Sequence, residues 1–271
     1  MPFISDRQRR VMLLLQEFPD PQLNLTLELF LRMLVDFWQE RLAAVILHGS
    51  ILFDDLAPGY GDLDFVAVVT GEVADELHQP LVALRQPLRS GGYGILAAML
   101  EGAFLPREML DPAHTGRAFW WGTGGERPWA GNQLGWLALE MIRERGLVIW
   151  GEDVRREIPR ASRECLVEDI RRTIDNMRLH GHGGTLHAVD WLLMAARLLL
   201  WLQEGRFSSK SESADWGYLH AKGSWREYLP RAKYLRLNPS AADSADVQKW
   251  LAELTEPIGE ACAELEWGLA E

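Results

Sequence analysis

The chain has 271 residues, and its 39 acidic and 28 basic side chains give a formal net charge of −11. Such an acidic chain lacks the basic face that a broad binder of nucleic-acid backbones needs, so we exclude a nucleic-acid partner. The charge helps to keep a protein in solution and also suits a cationic ligand. The length allows one large or two ordinary domains, and 48% hydrophobic residues can supply their cores.

The cysteines and the apolar segments indicate the cellular location of the protein. Cys165 and Cys262 are too few for a disulfide framework. No uninterrupted apolar run reaches the roughly 18 residues that a membrane span needs. The apolar run at residues 11–15 is too short for a signal-peptide core. We therefore expect a cytoplasmic monomer without a membrane partner.

The first part of the chain mixes helical and strand patterns. Helical spacing predicts helices over residues 6–18 and 24–42, separated by prolines at 19–21. Short apolar runs bounded by turn residues predict strands over 43–47, 64–69 and 94–105. Further helices are predicted over 72–88 and 129–146.

Beyond a charged stretch at residues 151–163 the pattern is almost wholly helical. We therefore expect an α/β domain over residues 1–155. An all-α helical bundle over residues 156–271 would follow and close a cleft against it. Its helices are predicted over residues 165–179, 187–204, 209–220, 225–235 and 241–269.

The most informative stretch lies between the first two predicted strands. Gly49-Ser50 follows the first strand, where free backbone N–H groups and a serine hydroxyl can hold a phosphate. Asp62 and Asp64 flank the start of the second strand, and residues i and i+2 of a strand share a face. Two adjacent carboxylates repel each other unless a cation neutralises them, and Mg²⁺ binds a few carboxylates together with phosphate oxygens. The alternative is a loop end with solvated acids.

Glu101 is the one charged residue in the third predicted strand. A lone glutamate in an apolar strand is costly unless it is paired or bound to a ligand. We predict that it is a general base, which takes the proton of an acceptor hydroxyl, or a third metal ligand. The alternative is an edge-strand residue that faces water.

The stretch between the first two predicted strands resembles the signature of the nucleotidyltransferase superfamily, which is a Gly-Ser pair, a spacer of moderate length and then Asp-x-Asp between apolar residues. The resemblance implies that residues 1–155 form an α/β (α+β) nucleotidyltransferase catalytic domain with a mixed sheet. It also implies metal-assisted transfer of a nucleotidyl group with release of pyrophosphate. Asp62, Asp64 and Glu101 would then be the catalytic residues and metal ligands. Gly49 and Ser50 would bind the nucleotide.

The helical part is similar to the C-terminal domain of the bacterial adenylyltransferases that modify streptomycin and spectinomycin, through residues 191–216. The resemblance implies that Arg197 and Lys210 reach the phosphates of ATP and that Tyr234 lies beside the nucleotide. Independently, Ser209 and Glu212 form a capping-box pattern that places Lys210 in the first turn of a helix. A cation there opposes the helix dipole, which indicates an anionic partner in a chain with only four lysines.

The loop at residues 177–190 departs from the streptomycin-modifying members of that family. Those members carry a tryptophan and an aspartate where Arg178 and Gly183 stand in this chain. Streptomycin is therefore the weaker candidate acceptor, and spectinomycin or an unrelated hydroxylated, cationic small molecule remains open.

Three residues are candidates for binding the acceptor. Trp121 belongs to an aromatic segment in the region where family members place a tryptophan against the drug. His187 and Asp190 lie at the entry of a predicted helix, where they could line a pocket between the domains. Core packing of Trp121 and helix capping by the other two are the alternatives.

The expected function is Mg-ATP-dependent adenylylation of a hydroxyl of an aminoglycoside-type antibiotic, which would confer resistance. Two alternatives stay open. One is nucleotidyl transfer to another small molecule or to a protein hydroxyl, and the other is a catalytically silent nucleotide-binding regulator. The complete set of acidic residues argues against the silent regulator.

Overall fold

The structure, a computed structural model, describes residues 13–270. Helix α1 (Pro21–Trp38) begins after Asp20, whose carboxylate accepts a hydrogen bond from the Gln22 N–H at 2.8 Å. The helix predicted over residues 6–18 is wrong for residues 13–18, which have no helical structure, and residues 6–12 lie outside the described part. The Leu13 N–H instead donates to the Glu28 carboxylate, a long-range contact that sequence periodicity does not reveal.

A six-stranded mixed sheet forms the core of the first half. Its strands are β1 (Leu42–His48), β2 (Leu63–Val69), β3 (Leu100–Pro106), β4 (Thr115–Gly122), β5 (Gly125–Gly131) and β6 (Leu147–Gly151). Their order across the sheet is β5-β4-β3-β2-β1-β6. The pair β2–β3 is parallel and the other four pairs are antiparallel, so the expected mixed sheet is confirmed.

Helices α2 (His78–Arg89), α3 (Ile95–Ala98) and α4 (Trp136–Arg145) complete this half. Two sequence predictions need correction here. Residues 95–98, predicted as strand, form α3, which buries Leu96 and Ala97 in the core. Trp129, predicted as helical, lies in β5 and stacks on Trp120 of β4, with ring centroids 4.8 Å apart.

The two faces of the sheet are covered differently. Odd-numbered residues of β2, such as Phe65, pack against α1 and α2. Even-numbered residues, such as Val66, pack against α4. Because side chains alternate along a strand, Asp64 and Glu101 both point to the α4 side, which faces the second half of the chain.

The second half consists of α5 (Arg163–His180), α6 (Leu186–Glu204), α7 (Lys210–His220), α8 (Leu229–Leu237), α9 (Ala245–Ala252) and α10 (Thr255–Ala270). The single helix predicted over residues 241–269 is thus two helices. Ser244 caps the first of them by accepting a hydrogen bond from the Val247 N–H. The expected helical bundle is confirmed.

Helix α6 is the core of this bundle. Among the described helices it alone is long and apolar enough, by length and composition, to cross a membrane, although Asp190 and Arg197 interrupt its apolar sequence. Half of that apolar window is buried, and its buried residues pack against the other helices of the bundle. Burial of this kind is typical of a core helix.

Candidate active site

Strand register brings the predicted acids together. In the β2–β3 pair, Asp64 lies directly opposite Glu101, and in the β1–β2 pair it lies opposite His48. Asp62 precedes β2 by one residue. The three carboxylates therefore lie at one end of neighbouring strands, on the face that meets the helical half.

Burial and mutual repulsion favour the protonated forms of two of these acids. Burial, followed by the nearby charge of Glu101, raises the pKa of Asp62 and of Asp64 to about 7. Lys210 lies near enough to oppose both shifts, but it does not cancel them. The surroundings of Asp64 include a neutral imidazole, because burial lowers the pKa of His48 to about 4.

The absence of a side chain at Gly49 leaves room for the Asp64 carboxylate. The glycine has a φ of +73°, and a Cβ built on it would lie 2.0 Å from the Asp64 Oδ2. Any side chain at position 49 would therefore collide with the carboxylate and strain the backbone. Gly49-Ser50 opens a 3₁₀ turn over Gly49–Phe53, so its backbone runs beside the carboxylates.

Glu101 is held by the turn between β4 and β5. Its Oε2 accepts hydrogen bonds from the Thr123 N–H at 2.5 Å and from the Thr123 Oγ1 at 2.6 Å. Two donors on one oxygen fix the orientation of the carboxylate and leave its second oxygen without a hydrogen bond from Thr123.

Two cations from the helical half face the acids. Lys210 Nζ donates to Asp190 Oδ1 at 2.5 Å, and the Glu212 N–H donates to Ser209 Oγ at 2.9 Å as the capping box requires. Burial lowers the pKa of Arg197, and the charge of Asp64 raises it. The Arg197 Nη2 lies 3.3 Å from the Met141 sulfur.

A cavity of about 210 Å³ lies between these cations and two of the acids, Asp62 and Asp64, whereas Glu101 is outside its lining. Both halves of the chain line it. Of the residues that the sequence singled out, it contains Gly49, Ser50, Asp62, Asp64, Asp190, Arg197 and Lys210. Sequence reasoning missed six further lining residues, which are Phe53, Tyr60, Gly61, Met194, Ser209 and Arg236.

Some of these omissions had a signal. Tyr60 and Gly61 directly precede Asp62 in the motif loop, so they could have been included. Arg236 lies two residues after Tyr234, but it belongs to none of the motifs described above, so the sequence does not mark it. Met194 is one apolar residue among many on α6 and carried no signal.

Trp121 does not bind the acceptor, and this prediction is wrong. Its side chain is 0% exposed and packs edge-on against Phe65 and Phe104. It projects to the α1 and α2 side of the sheet, whereas Glu101 projects to the other side. The sequence did not show which strand residues face inward, because the β4–β5 hairpin itself was not predicted.

Of three other residues that the sequence predicted for the site, two lie outside the lining of the cavity and one lies in it. His187 is exposed on α6, packs against the Trp191 ring and lies outside the lining of the cavity. Tyr234 is 54% exposed on α8 and also lies outside that lining. Asp190 lines the cavity, but its carboxylate is bound to Lys210. Burial, followed by the charge of Asp190, raises the pKa of Tyr60. The contacts of Asp190 therefore favour orientation of Lys210 over binding of the acceptor.

The donor set fits a hard divalent cation that is shared with a ligand. Among residues 13–270 no three His, Cys, Asp or Glu side chains are arranged to hold a metal ion by themselves. Asp62 and Asp64 supply two carboxylates whose raised pKa values a cation would lower. Mg²⁺ commonly binds through one or two carboxylates plus substrate phosphates, so two protein ligands suffice.

A second cavity of about 320 Å³ adjoins the first, and Met194 and Arg197 line both. Its apolar walls include Leu137, Met141, Leu198, Trp201 and Phe207. One buried carboxylate, Asp169, accepts a hydrogen bond from the Leu137 N–H at 3.0 Å. The cavity therefore suits a flat ring that carries hydrogen-bonding groups.

Comparisons with known proteins agree with this arrangement. Residues 156–260 match the family model of the aminoglycoside adenylyltransferase C-terminal domain. No curated protein sequence matches the chain. Among solved structures, a spectinomycin adenyltransferase from Enterococcus faecialis with ATP and spectinomycin has a TM-score of 0.67 at 13% identity. The match covers 89% of this chain and 98% of that one.

The structural likeness shows the fold, and the family match identifies the helical half. Residues 156–260 are therefore similar to the C-terminal domain of the aminoglycoside adenylyltransferases, and the chain shares the fold of the spectinomycin adenyltransferase.

Proposed function

We propose that the protein transfers the adenylyl group of Mg-ATP to a hydroxyl of an aminoglycoside-type antibiotic, with spectinomycin as the first candidate. The observation that carries the proposal is the cavity in which Asp62 and Asp64 face Arg197 and Lys210. Two acids and two bases across a closed space suit a metal-bound triphosphate. Spectinomycin is suggested by the structural relative that binds it.

The triphosphate would lie along the cation side of the cavity. The Lys210 ammonium has three donors and Asp190 takes one of them, so two remain for phosphate oxygens. The Arg197 guanidinium is desolvated, and an anion there would restore the interactions that burial removes. Gly49 and Ser50 would contact the phosphates through backbone N–H groups and the hydroxyl.

Asp62 and Asp64 would hold Mg²⁺, which when bound neutralises phosphate charge and polarises the reacting phosphoryl group. The nucleobase would occupy the second cavity, between the ring of Trp201 and the side chain of Met141. This places the α-phosphate near Arg197, which lines both cavities.

Glu101 would act as the general base. The acceptor oxygen forms a bond to the α-phosphorus while the bond from that phosphorus to the bridging oxygen breaks and pyrophosphate leaves. The proton of the acceptor hydroxyl passes to the Glu101 carboxylate. Because Thr123 donates both of its hydrogen bonds to Oε2, the other oxygen is available for this proton.

The acceptor would be small and cationic. The negative charge of Glu101 beside the site favours a cation, and a cavity lined by both halves of the chain suits a small molecule better than a protein side chain. We place this reaction in the cytoplasm, where ATP is supplied.

The test is pyrophosphate release with Mg-ATP against spectinomycin, streptomycin and other aminoglycosides, with Asp64→Asn as the inactive control. We expect turnover with spectinomycin, and mass spectrometry should show one added adenylyl group. Turnover only with an unrelated hydroxyl compound would contradict the antibiotic assignment. Tight ATP binding without turnover of any acceptor would instead support the silent regulator.

A further inference from the structure

We propose that Asp55 is a positioning residue that joins the two halves of the protein and holds Lys210 in place for the triphosphate. The inference rests on the proposed function and adds a residue that neither the motif nor the family resemblance marks. Asp55, Ser211 and Arg236 are together called the Asp55 clamp below.

The clamp is a network of side-chain and backbone contacts across the interface. Asp55 Oδ1 accepts hydrogen bonds from Ser211 Oγ at 2.6 Å and from Arg236 Nη1 at 3.0 Å. Asp55 Oδ2 accepts from the Ser211 N–H at 3.2 Å. The carbonyl oxygen of Asp55 accepts from Arg236 Nη2 at 2.5 Å. Both carboxylate oxygens and the adjacent carbonyl are therefore used.

The ion pair is buried. The side chains of Arg236 and Asp55 are 2% and 9% exposed, and 181 positions separate the two residues in the chain. Further hydrogen bonds help a buried pair to repay its desolvation, and Ser211 donates two of them to Asp55. The Arg236 Nη atoms are bonded to Asp55, whereas the Arg236 Nε has no hydrogen-bond partner among the described residues. The two halves are thus fixed in one relative position at this point.

The clamp is connected on both sides to residues of the proposed phosphate site. On one side, the Asp55 N–H donates to the Ser50 carbonyl at 3.2 Å, so Asp55 is tied to the proposed phosphate-binding turn. On the other side, Ser211 follows Lys210 in the first turn of α7. Asp55 accepts a first-turn N–H of that helix, where a negative charge is favourable. The clamp therefore sets the separation between Ser50 and Lys210.

The chain offers a matched control. Asp54 is the preceding residue, has the same side chain and is exposed at the end of the turn with a φ of 51°. Asparagine tolerates this left-handed conformation, so Asp54→Asn changes charge without backbone strain. Asp55→Asn and Ser211→Ala weaken the clamp to different degrees.

The experiment measures the binding of ATP and AMP by calorimetry to the full-length protein and each variant. We expect Asp55→Asn to weaken ATP binding about tenfold, or ~1.4 kcal/mol, and Ser211→Ala about threefold. AMP binding should be unchanged in both, because AMP lacks the phosphates that Lys210 contacts. Asp54→Asn should bind both nucleotides like the wild type.

A double variant tests the route of the effect. If Asp55 acts through Lys210, Asp55→Asn should weaken ATP binding no further in a Lys210→Met background. Equal losses of ATP and AMP affinity, or fully additive losses in the double variant, would overturn the positioning role. If Asp55→Asn fails to fold, Ser211→Ala decides the question alone. A wild-type protein that binds no ATP would instead contradict the proposed function.

Discussion

The two sides of the cavity that Asp64 and Lys210 line are built in different ways. The acidic side comes from neighbouring strands, and its spacing is set by the hydrogen-bonded register that aligns Asp64 with Glu101. The basic side comes from separate helices, with Arg197 on α6 and Lys210 on α7. The acidic side is therefore fixed locally, whereas the basic side depends on packing and on contacts such as the Asp55 clamp.

This difference predicts that substitutions on the two sides impair different steps. Loss of an acid should impair the chemical step and leave the fold unchanged, because the strand register does not depend on it. Loss of a base or of its supports should impair nucleotide binding. The variants below test that division, starting with the largest expected effect.

Asp64→Asn should lower kcat by roughly 10³-fold or more, as removal of a preorganised electrostatic group does. The amide keeps the shape of the side chain, and no strand hydrogen bond is lost. Pyrophosphate release and far-ultraviolet circular dichroism would measure activity and fold. Turnover like that of the wild type would contradict the assignment of Asp64 to the metal.

Lys210→Met should raise KM for ATP about 10- to 100-fold, since a hydrogen bond to a charged group contributes about 1.5–3 kcal/mol. The substitution keeps an unbranched apolar chain but removes the charge that pairs with Asp190. Lys222→Met is the control, because Lys222 lies over the Trp267 ring rather than in the cavity. An equal effect of the two substitutions would contradict the separation into an acidic and a basic side.

Thr123→Val should lower kcat about fivefold, which corresponds to one ordinary hydrogen bond of about 1 kcal/mol, with KM for ATP unchanged. Valine has the same shape but cannot donate to Glu101, whereas the backbone N–H still can. Thr123→Ser should restore the wild-type rate. If serine fails to restore it, the hydroxyl is not what orients Glu101.

In the metal-free protein, the contribution of Asp64 to stability should fall as the pH rises from about 4 to 7, whereas the lowered pKa of His48 acts in the opposite direction below about pH 6.5. The pKa of Asp64 is raised to about 7 in the folded state, so in this range its carboxyl group is protonated to a greater extent in the folded protein than in the unfolded chain. Unfolding free energy then falls with pH, by about 1 kcal/mol or more for this residue. Thermal unfolding at several pH values, with and without Mg²⁺, measures this.

Mg²⁺ should reduce that loss, because metal binding favours the ionised carboxylates. Asp64→Asn provides the matched control, since its amide does not titrate and its unfolding free energy should depend less on pH. The same pH profile in the variant and the wild type would show that other groups cause the change.

The sequence predicted the acidic side better than the basic side. Asp62, Asp64 and Glu101 were found because a short motif and strand alternation are local properties, and a structure with the expected mixed sheet places them together. Their chemical roles stay predictions. The clamp was missed because Asp55 and Arg236 meet only after folding, 181 positions apart.

The errors have physical causes as well. The prediction for Trp121 rests on the region where family members place a tryptophan against the drug, but the inward direction of its side chain depends on the unpredicted β4–β5 hairpin. Residues 94–105 were predicted as one strand because short apolar helices and strands share a composition. The actual strand begins only at Leu100.

The contact between Gly49 and Asp64 also explains why two weak patterns make one strong signature. Neither a Gly-Ser pair nor an Asp-x-Asp triplet is unusual alone, but here one excludes a side chain from the space that the other occupies. The two patterns are therefore separate in the sequence but in direct contact in the folded protein, and each restricts the other. A designer who moves this site to another scaffold must transfer both pieces together, because a carboxylate without its glycine has no room.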